Sequence, residues 1–156
     1  QGDMDSAFKD LHSVIAQNPP LSRPFLLRGI IFSRKGEHQQ AVEDITRAIS
    51  MGSVDPLSYF FRGISQEAMG LYELAIEDFS AVIQHNPEDY LAFYNRGIVH
   101  LRMGLTEMAV SDFGRAIALN NTFAEAYMNR GVAFARQSHH DKAVPWSSAL
   151  RIPHST

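Results

Sequence analysis

The chain has 156 residues, 45% of them hydrophobic and 20% charged, with a formal net charge of −3. That balance can bury a core, and it argues against a disordered segment and against a nucleic-acid binder, which would carry a basic excess. The lack of cysteine excludes disulfides, thiolate nucleophiles and Cys-based zinc or iron–sulfur sites, no apolar run approaches the roughly 18 residues of a membrane helix, and the start does not read as a signal peptide.

Gln1-Gly2 reads as the remnant of a cleavable expression tag. From about Asp3 to Gln17, Ala7, Phe8, Leu11, Val14 and Ile15 recur at three- and four-residue spacings, which predicts one amphipathic helix. Asn18-Pro19-Pro20 ends it, because proline lacks the amide donor and restricts the residue before it. Four helix pairs are predicted to follow, over 22–35 with 38–51, 56–69 with 72–85, 90–103 with 106–119, and 124–137 with 140–150. Gly36, Gly70 and Gly104 stand where the first helix of a pair must stop, and glycine accepts the left-handed turn needed there. Ser138 takes that place in the last copy.

These elements repeat. Arg28-Gly29 recurs as Arg62-Gly63, Arg96-Gly97 and Arg130-Gly131, at a constant interval of 34 residues that marks a repeat array. A large residue opens each copy, at Phe25, Tyr59, Phe93 and Tyr127. In the second helices an alanine recurs at Ala7, Ala41, Ala75, Ala109 and Ala143, followed four residues on by Leu11, Ile45, Phe79 and Phe113. A closing proline appears at Pro19 and Pro87, with Ser53 and Asn121 departing from it. This pattern resembles the tetratricopeptide repeat family, although that family usually has Leu where this chain has Arg before the glycine.

The resemblance implies an all-α fold, a right-handed α-solenoid of antiparallel helix pairs whose first helices line a concave side. One array would span 3–153, with the second helix of a truncated repeat at 3–20, full repeats at 22–55, 56–89 and 90–123, and an irregular last repeat at 124–153. On this reading the chain opens in mid-repeat, as a fragment of a longer array would. Small residues such as Gly63 and Ala75 let paired helices approach, with Tyr59 and Phe79 filling the ends of the contact. The last copy departs from the pattern. Pro145-Trp146 stands where earlier copies carry an acid, an Asp and a bulky residue, and Ala149-Leu150 falls one residue early. A proline is tolerated in a helix's first turn but kinks it further in.

Asp10, Asp44, Asp78 and Asp112 share the period of Arg28, Arg62, Arg96 and Arg130. Half-buried charges need partners, so these eight are expected to form structural ion pairs. Pairing each aspartate with the arginine of the following repeat would use all of them and lock the stack. Pairing within a repeat would strand Arg130.

By the geometry that the resemblance implies, the inward positions of each repeat are the second, fifth, ninth, twelfth and thirteenth. The fifth gives Leu26, Phe60, Tyr94 and Met128, and the ninth Ile30, Ile64, Ile98 and Val132, an apolar floor. The thirteenth gives Arg34, Arg102 and Arg136, with Ala68 interrupting, and Arg23 adds charge at the entrance. Such a groove suits a peptide with apolar anchors and acidic flanks. Chaperone-binding members of the family hold a terminal carboxylate with a lysine and an asparagine at the fifth and ninth positions. Apolar residues stand there in every repeat here, so a carboxylate clamp is not expected.

No phosphate-binding Gly-rich motif, nucleophile elbow or His-Glu-x-x-His motif occurs, so no enzyme, cofactor or metal is expected. Adjacent His139-His140 would point about 100° apart on a helix and form no ligand pair. Two functions from different classes remain. One is a scaffold module of the cytoplasm that binds a partner protein or peptide in the groove. The other is a self-associating array that stacks through its uncapped ends.

Overall fold

The computed structural model describes residues 2–17 and 20–143, and within them every regular element is an α-helix. In chain order these are α1 (Gly2–Ala16), α2 (Ser22–Lys35), α3 (His38–Ser50), α4 (Pro56–Ala68), α5 (Tyr72–His85), α6 (Tyr90–Arg102), α7 (Thr106–Leu119) and α8 (Ala124–Ala143). The helices α2, α4 and α6 each end in a glycine turn. Gly36, Gly70 and Gly104 adopt φ of 80°, 76° and 76°, a conformation that a Cβ would strain. The following first helices start where an aspartate meets the free amides: Asp55 Oδ1 accepts from Leu57 N and Asp89 Oδ1 from Ala92 N.

Successive helices pack antiparallel, and contacts also join α2 to α4, α4 to α6 and α6 to α8. No such contact joins α3 to α5 or α5 to α7. The first helices therefore stand closer together than the second helices, and the stack curves toward the first-helix side. This is a right-handed α-solenoid with that layer as its inner wall. The core is a chain of small clusters rather than one centre, as expected where each repeat touches only its neighbours. Phe25 with Ile45 and Ala48 forms one, Ala75 with Phe79 and Val99 the next, and Ala109 with Phe113 and Ala133 another.

Small residues set the spacing within each pair. A Cβ built on Gly97 would stand 2.8 Å from Phe113 Cε1, whereas one on Gly131 meets nothing within 4 Å. Gly97→Ala should therefore destabilise by about 1–3 kcal/mol through overpacking. Gly131→Ala, measured on the dilute protein, should stabilise by up to about 1 kcal/mol through helix propensity. Urea midpoints of the two variants check the opposite signs.

The end of the array differs from expectation. A helix break near 138 is predicted from the repeat, but α8 runs unbroken through that point to Ala143. Ser138 cannot adopt the glycine turn cheaply, and its Oγ instead bonds back to Phe134 O at 3.0 Å within the helix. The predicted second helix from 144 onward, with Pro145, Trp146 and the Ala149-Leu150 shift, lies outside the described residues, as does Pro19.

Candidate functional site

The arginine–aspartate pairs form within repeats, not between them. Arg28 Nε and Nη2 donate to Asp44 at 2.6 and 2.8 Å, and Arg62 to Asp78 at 2.7 and 2.7 Å. Arg96 holds Asp112 in the same way at 3.0 and 2.7 Å. These are bidentate bonds across a helix pair, and the pairing of Asp44 with Arg62, Asp78 with Arg96 and Asp112 with Arg130 does not occur. The reason is reach. Position seven of a first helix faces its own second helix, 16 residues on. The remaining guanidinium nitrogen turns back to the preceding repeat, Arg62 Nη1 to Thr46 Oγ1 at 3.2 Å and Arg96 Nη1 to Ser80 Oγ at 2.9 Å. Arg62 and Arg96 thus each tie their own pair by charge and the preceding repeat by a hydrogen bond. The bond to the aspartate raises the Arg28 and Arg62 guanidinium pKa against the opposing effect of burial. Among the described residues neither Asp10 nor Arg130 has an ion-pair partner, and Asp10 does not pair with Arg28.

His100 adds a feature the repeat does not predict. Its imidazole fills a slot that other copies give to an aromatic or Gln66, and Nδ1 lies 2.9 Å from Asp112 Oδ2, both groups buried. The departure from an aromatic at that position is the signal that marks it in the sequence. Burial alone would push the Asp112 carboxyl up, but bonds from His100 and Arg96 and the charge of Arg96 hold it below its ordinary value of 3.8.

On the inner wall the residues expected to line a groove divide into three groups. Leu26 is 4% exposed and belongs to the Phe25 core cluster, so it offers no surface. Ile30, Phe60, Ile64, Tyr94 and Ile98 are half-buried with one side against the core. The Phe60 ring, for example, meets Phe79 edge-on, and Tyr94 packs on Phe113 and Phe123. Burial and then the Glu125 charge raise the Tyr94 phenol pKa, opposed by the 3.0 Å bond from Asn129 Nδ2. Met128 and Val132 are exposed.

The arginine edge is partly engaged by the chain itself. Arg102 pairs with Glu67 at 2.9 Å, Arg136 Nη1 donates to Leu101 O at 3.1 Å, and Arg34 lies over the Phe61 ring. Arg34 and Arg136 are nonetheless exposed.

Among the described residues this wall carries a cleft between the N-terminal ends of α4 and α6, with a volume of about 130 Å³. Pro56, Leu57 and Phe60 line it from α4, Leu91 and Asp89 from the start of α6, and Val82 from α5. Leu57 and Leu91 stand at the second repeat position and are 50% and 38% exposed. The signal for both was their inward register, where the first and last copies carry Arg23 and Glu125 instead. The cleft presents apolar surface edged by one carboxylate, which can hold an apolar side chain but supplies no pair of groups for acid–base or nucleophilic chemistry.

A family model described as tetratricopeptide repeat matches residues 26–89, 62–118 and 94–153. Among solved structures the chain is similar to MamA, at 23% identity and a TM-score of 0.82 over 92% of this chain and 84% of that one. It is similar to YrrB, described as a TPR protein with an unusual peptide-binding site, at 17% identity and a TM-score of 0.79 over 92% and 74%. It is also similar to the first TPR domain of human RPAP3, at 16% identity and a TM-score of 0.73 over 80% and 99%. At these identities the likeness shows the fold. No curated protein matches the chain.

Proposed function

This chain belongs to the tetratricopeptide repeat family, and from that membership we propose that it is a scaffold module that recognises a partner protein or peptide on its inner wall, assembling complexes in the cytoplasm. The family is generally one of protein–protein interaction scaffolds, not of enzymes. The observation that carries the reading is the apolar cleft between α4 and α6, where two leucines stand half-exposed over a phenylalanine floor. Isolated exposed leucines need no explanation, but two that flank one concave depression suit an anchor side chain. The fold shared with YrrB, described as peptide-binding, points the same way.

The partner segment places a bulky apolar residue between Leu57 and Leu91 and directs acidic residues toward the other edge, where Arg34, Arg102 and Arg136 stand. Half-buried Ile64, Tyr94 and Ile98 continue the floor between the two.

A random peptide library panned against the purified chain tests this. Enriched peptides should carry one bulky apolar residue and flanking acids, and Leu57→Asp with Leu91→Asp should weaken them by at least about 30-fold, as loss of a buried anchor does. Both leucines are exposed, so helicity and the urea midpoint should hold. Enriched peptides that bind the double variant equally well would refute the cleft.

A further inference from the structure

The second helices of the two central repeats break a local rule. A helix start favours a side chain that accepts from its free amides, as Asp55 and Asp89 do for α4 and α6. Leu71 and Leu105 hold that position for α5 and α7, make no such bond, and are 40% and 39% exposed. Leu74 and Met108, three residues further on, are 45% and 55% exposed. The preceding repeat carries polar Glu37 and Gln40 in the same two registers. A leucine at a helix start forfeits the cap, and here it buries little in return. A position that breaks a local rule without gain to the fold points to function.

These side chains belong to one surface. Tyr72 and Ile76 of α5 and Met103 at the end of α6 pack on the same Phe79 cluster. Ile76 and Met108 then line one groove of about 310 Å³ between α5 and α7, with buried His100 and Asp112 among its walls. The apolar stripe therefore passes from Leu71 and Leu74 across Ile76 to Met108 and Leu105. Both repeats have described neighbours on either side, α2 and α3 before them and α8 after, so the exposure does not come from an end of the array. The charge beside the stripe has one sign. Glu73, Glu77 and Glu107 are exposed, α5 carries no Lys or Arg, and the one cation of α7 is Arg115, more than a turn beyond the groove. The edge of the inner wall is the opposite, with exposed Arg34, Arg102 and Arg136.

We propose that this second-helix face is a docking surface in its own right, and that its occupant is a basic amphipathic segment of a partner protein. Large apolar side chains of that segment seat on the stripe from Leu71 to Met108, and its Lys or Arg residues lie toward Glu73 and Glu107. Apolar contact takes the leucines out of water, while charge at the rim orients the segment and speeds its encounter. The same glutamates repel acidic segments, nucleic acids and anionic membrane surfaces. The inference needs neither the cleft between α4 and α6 nor any occupant of it.

The chain has no cysteine, so a single thiol placed by Met108→Cys reports on this face. In the full chain alone a water-soluble maleimide should label it as fast as a small free thiol, at low and high protein concentration alike. An amphipathic leucine–lysine peptide should bind and slow that labelling, and a leucine–glutamate peptide of the same pattern should do neither. Leu71→Ser with Leu105→Ser should weaken the lysine peptide by at least about tenfold, as should Glu73→Lys with Glu107→Lys. The urea midpoint of the serine variant should hold or rise, because serine restores a capping side chain. Leu57→Asp with Leu91→Asp should leave this binding unchanged. Slow labelling of the dilute chain would show that residues 144–156 cover the face, and protection that grows with concentration would place a second copy there; either overturns the proposal. So does a lysine peptide that leaves the thiol unprotected or ignores the substitutions, a glutamate peptide that binds as well, or a serine variant whose midpoint falls.

Discussion

Asp112→Ala is expected to cost the fold about 3–5 kcal/mol, the range for breaking a buried pair by removing one partner. The carboxylate is 4% exposed and accepts from Arg96 at 3.0 and 2.7 Å, with His100 Nδ1 at 2.9 Å. Its removal leaves a guanidinium and an imidazole without their acceptor in a poorly solvated junction, and the bond of Arg96 to Ser80 on the preceding repeat no longer has an anchored donor. Asp44→Ala should cost less, because the Asp44 carboxylate holds an arginine and no histidine. Urea unfolding of the two variants at neutral pH gives the comparison. A loss for Asp112→Ala below about 0.5 kcal/mol, typical of a surface change, would refute the assignment.

The acid dependence follows from the same group. The Asp112 carboxyl titrates in the folded chain below its ordinary value of 3.8, so its stabilisation is complete above that value and lost as pH falls through the folded one. The difference in stability between the parent and Asp112→Asn should therefore be large at neutral pH and shrink once the solution is more acidic than 3.8. A difference that stays constant into strong acid would mean that the asparagine disturbs packing, not charge.

Much of this architecture is legible in the sequence because a repeat states each constraint several times. The Arg-Gly pairs, the turn glycines and the second-helix alanines each occupy one register, and the helices fall within a residue or two of the predicted bounds up to residue 123. What the sequence leaves open is direction and depth. Asp44 lies 16 residues after Arg28 and 18 before Arg62, so one-dimensional spacing could not choose between them. The side from which a second helix faces its partner decided the choice. Depth failed similarly at Leu26, which shares its register with exposed Met128 but is buried in the Phe25 cluster. At α8 the missing glycine was visible as Ser138, but a single substitution does not say whether the turn survives or the helix runs on. The cleft residues Leu57 and Leu91 lay in an inward register from the start, but only the separation of α4 and α6 shows that a depression opens between them.

Phe79→Ala should remove about 3–5 kcal/mol, comparable to the loss of Asp112 but by a different physical route. The ring is fully buried under Gly63, whose built Cβ would lie 3.1 Å from it, and it joins Ala75 of its own helix to Val99 of the next repeat. Truncation leaves a cavity that the rigid glycine–aromatic contact cannot close, because the helices are already as near as their backbones allow. It also removes the edge-on support of Phe60, 5.9 Å away between ring centres, which forms the floor of the cleft. Stability and peptide affinity should thus fall together, whereas Leu57→Asp with Leu91→Asp should lower affinity alone. Because a solenoid couples only neighbours, hydrogen exchange should show protection lost first in α4, α5 and α6 while α2 and α3 keep theirs. Uniform loss along the whole chain would show that the array unfolds as one unit and that Phe79 holds no particular junction.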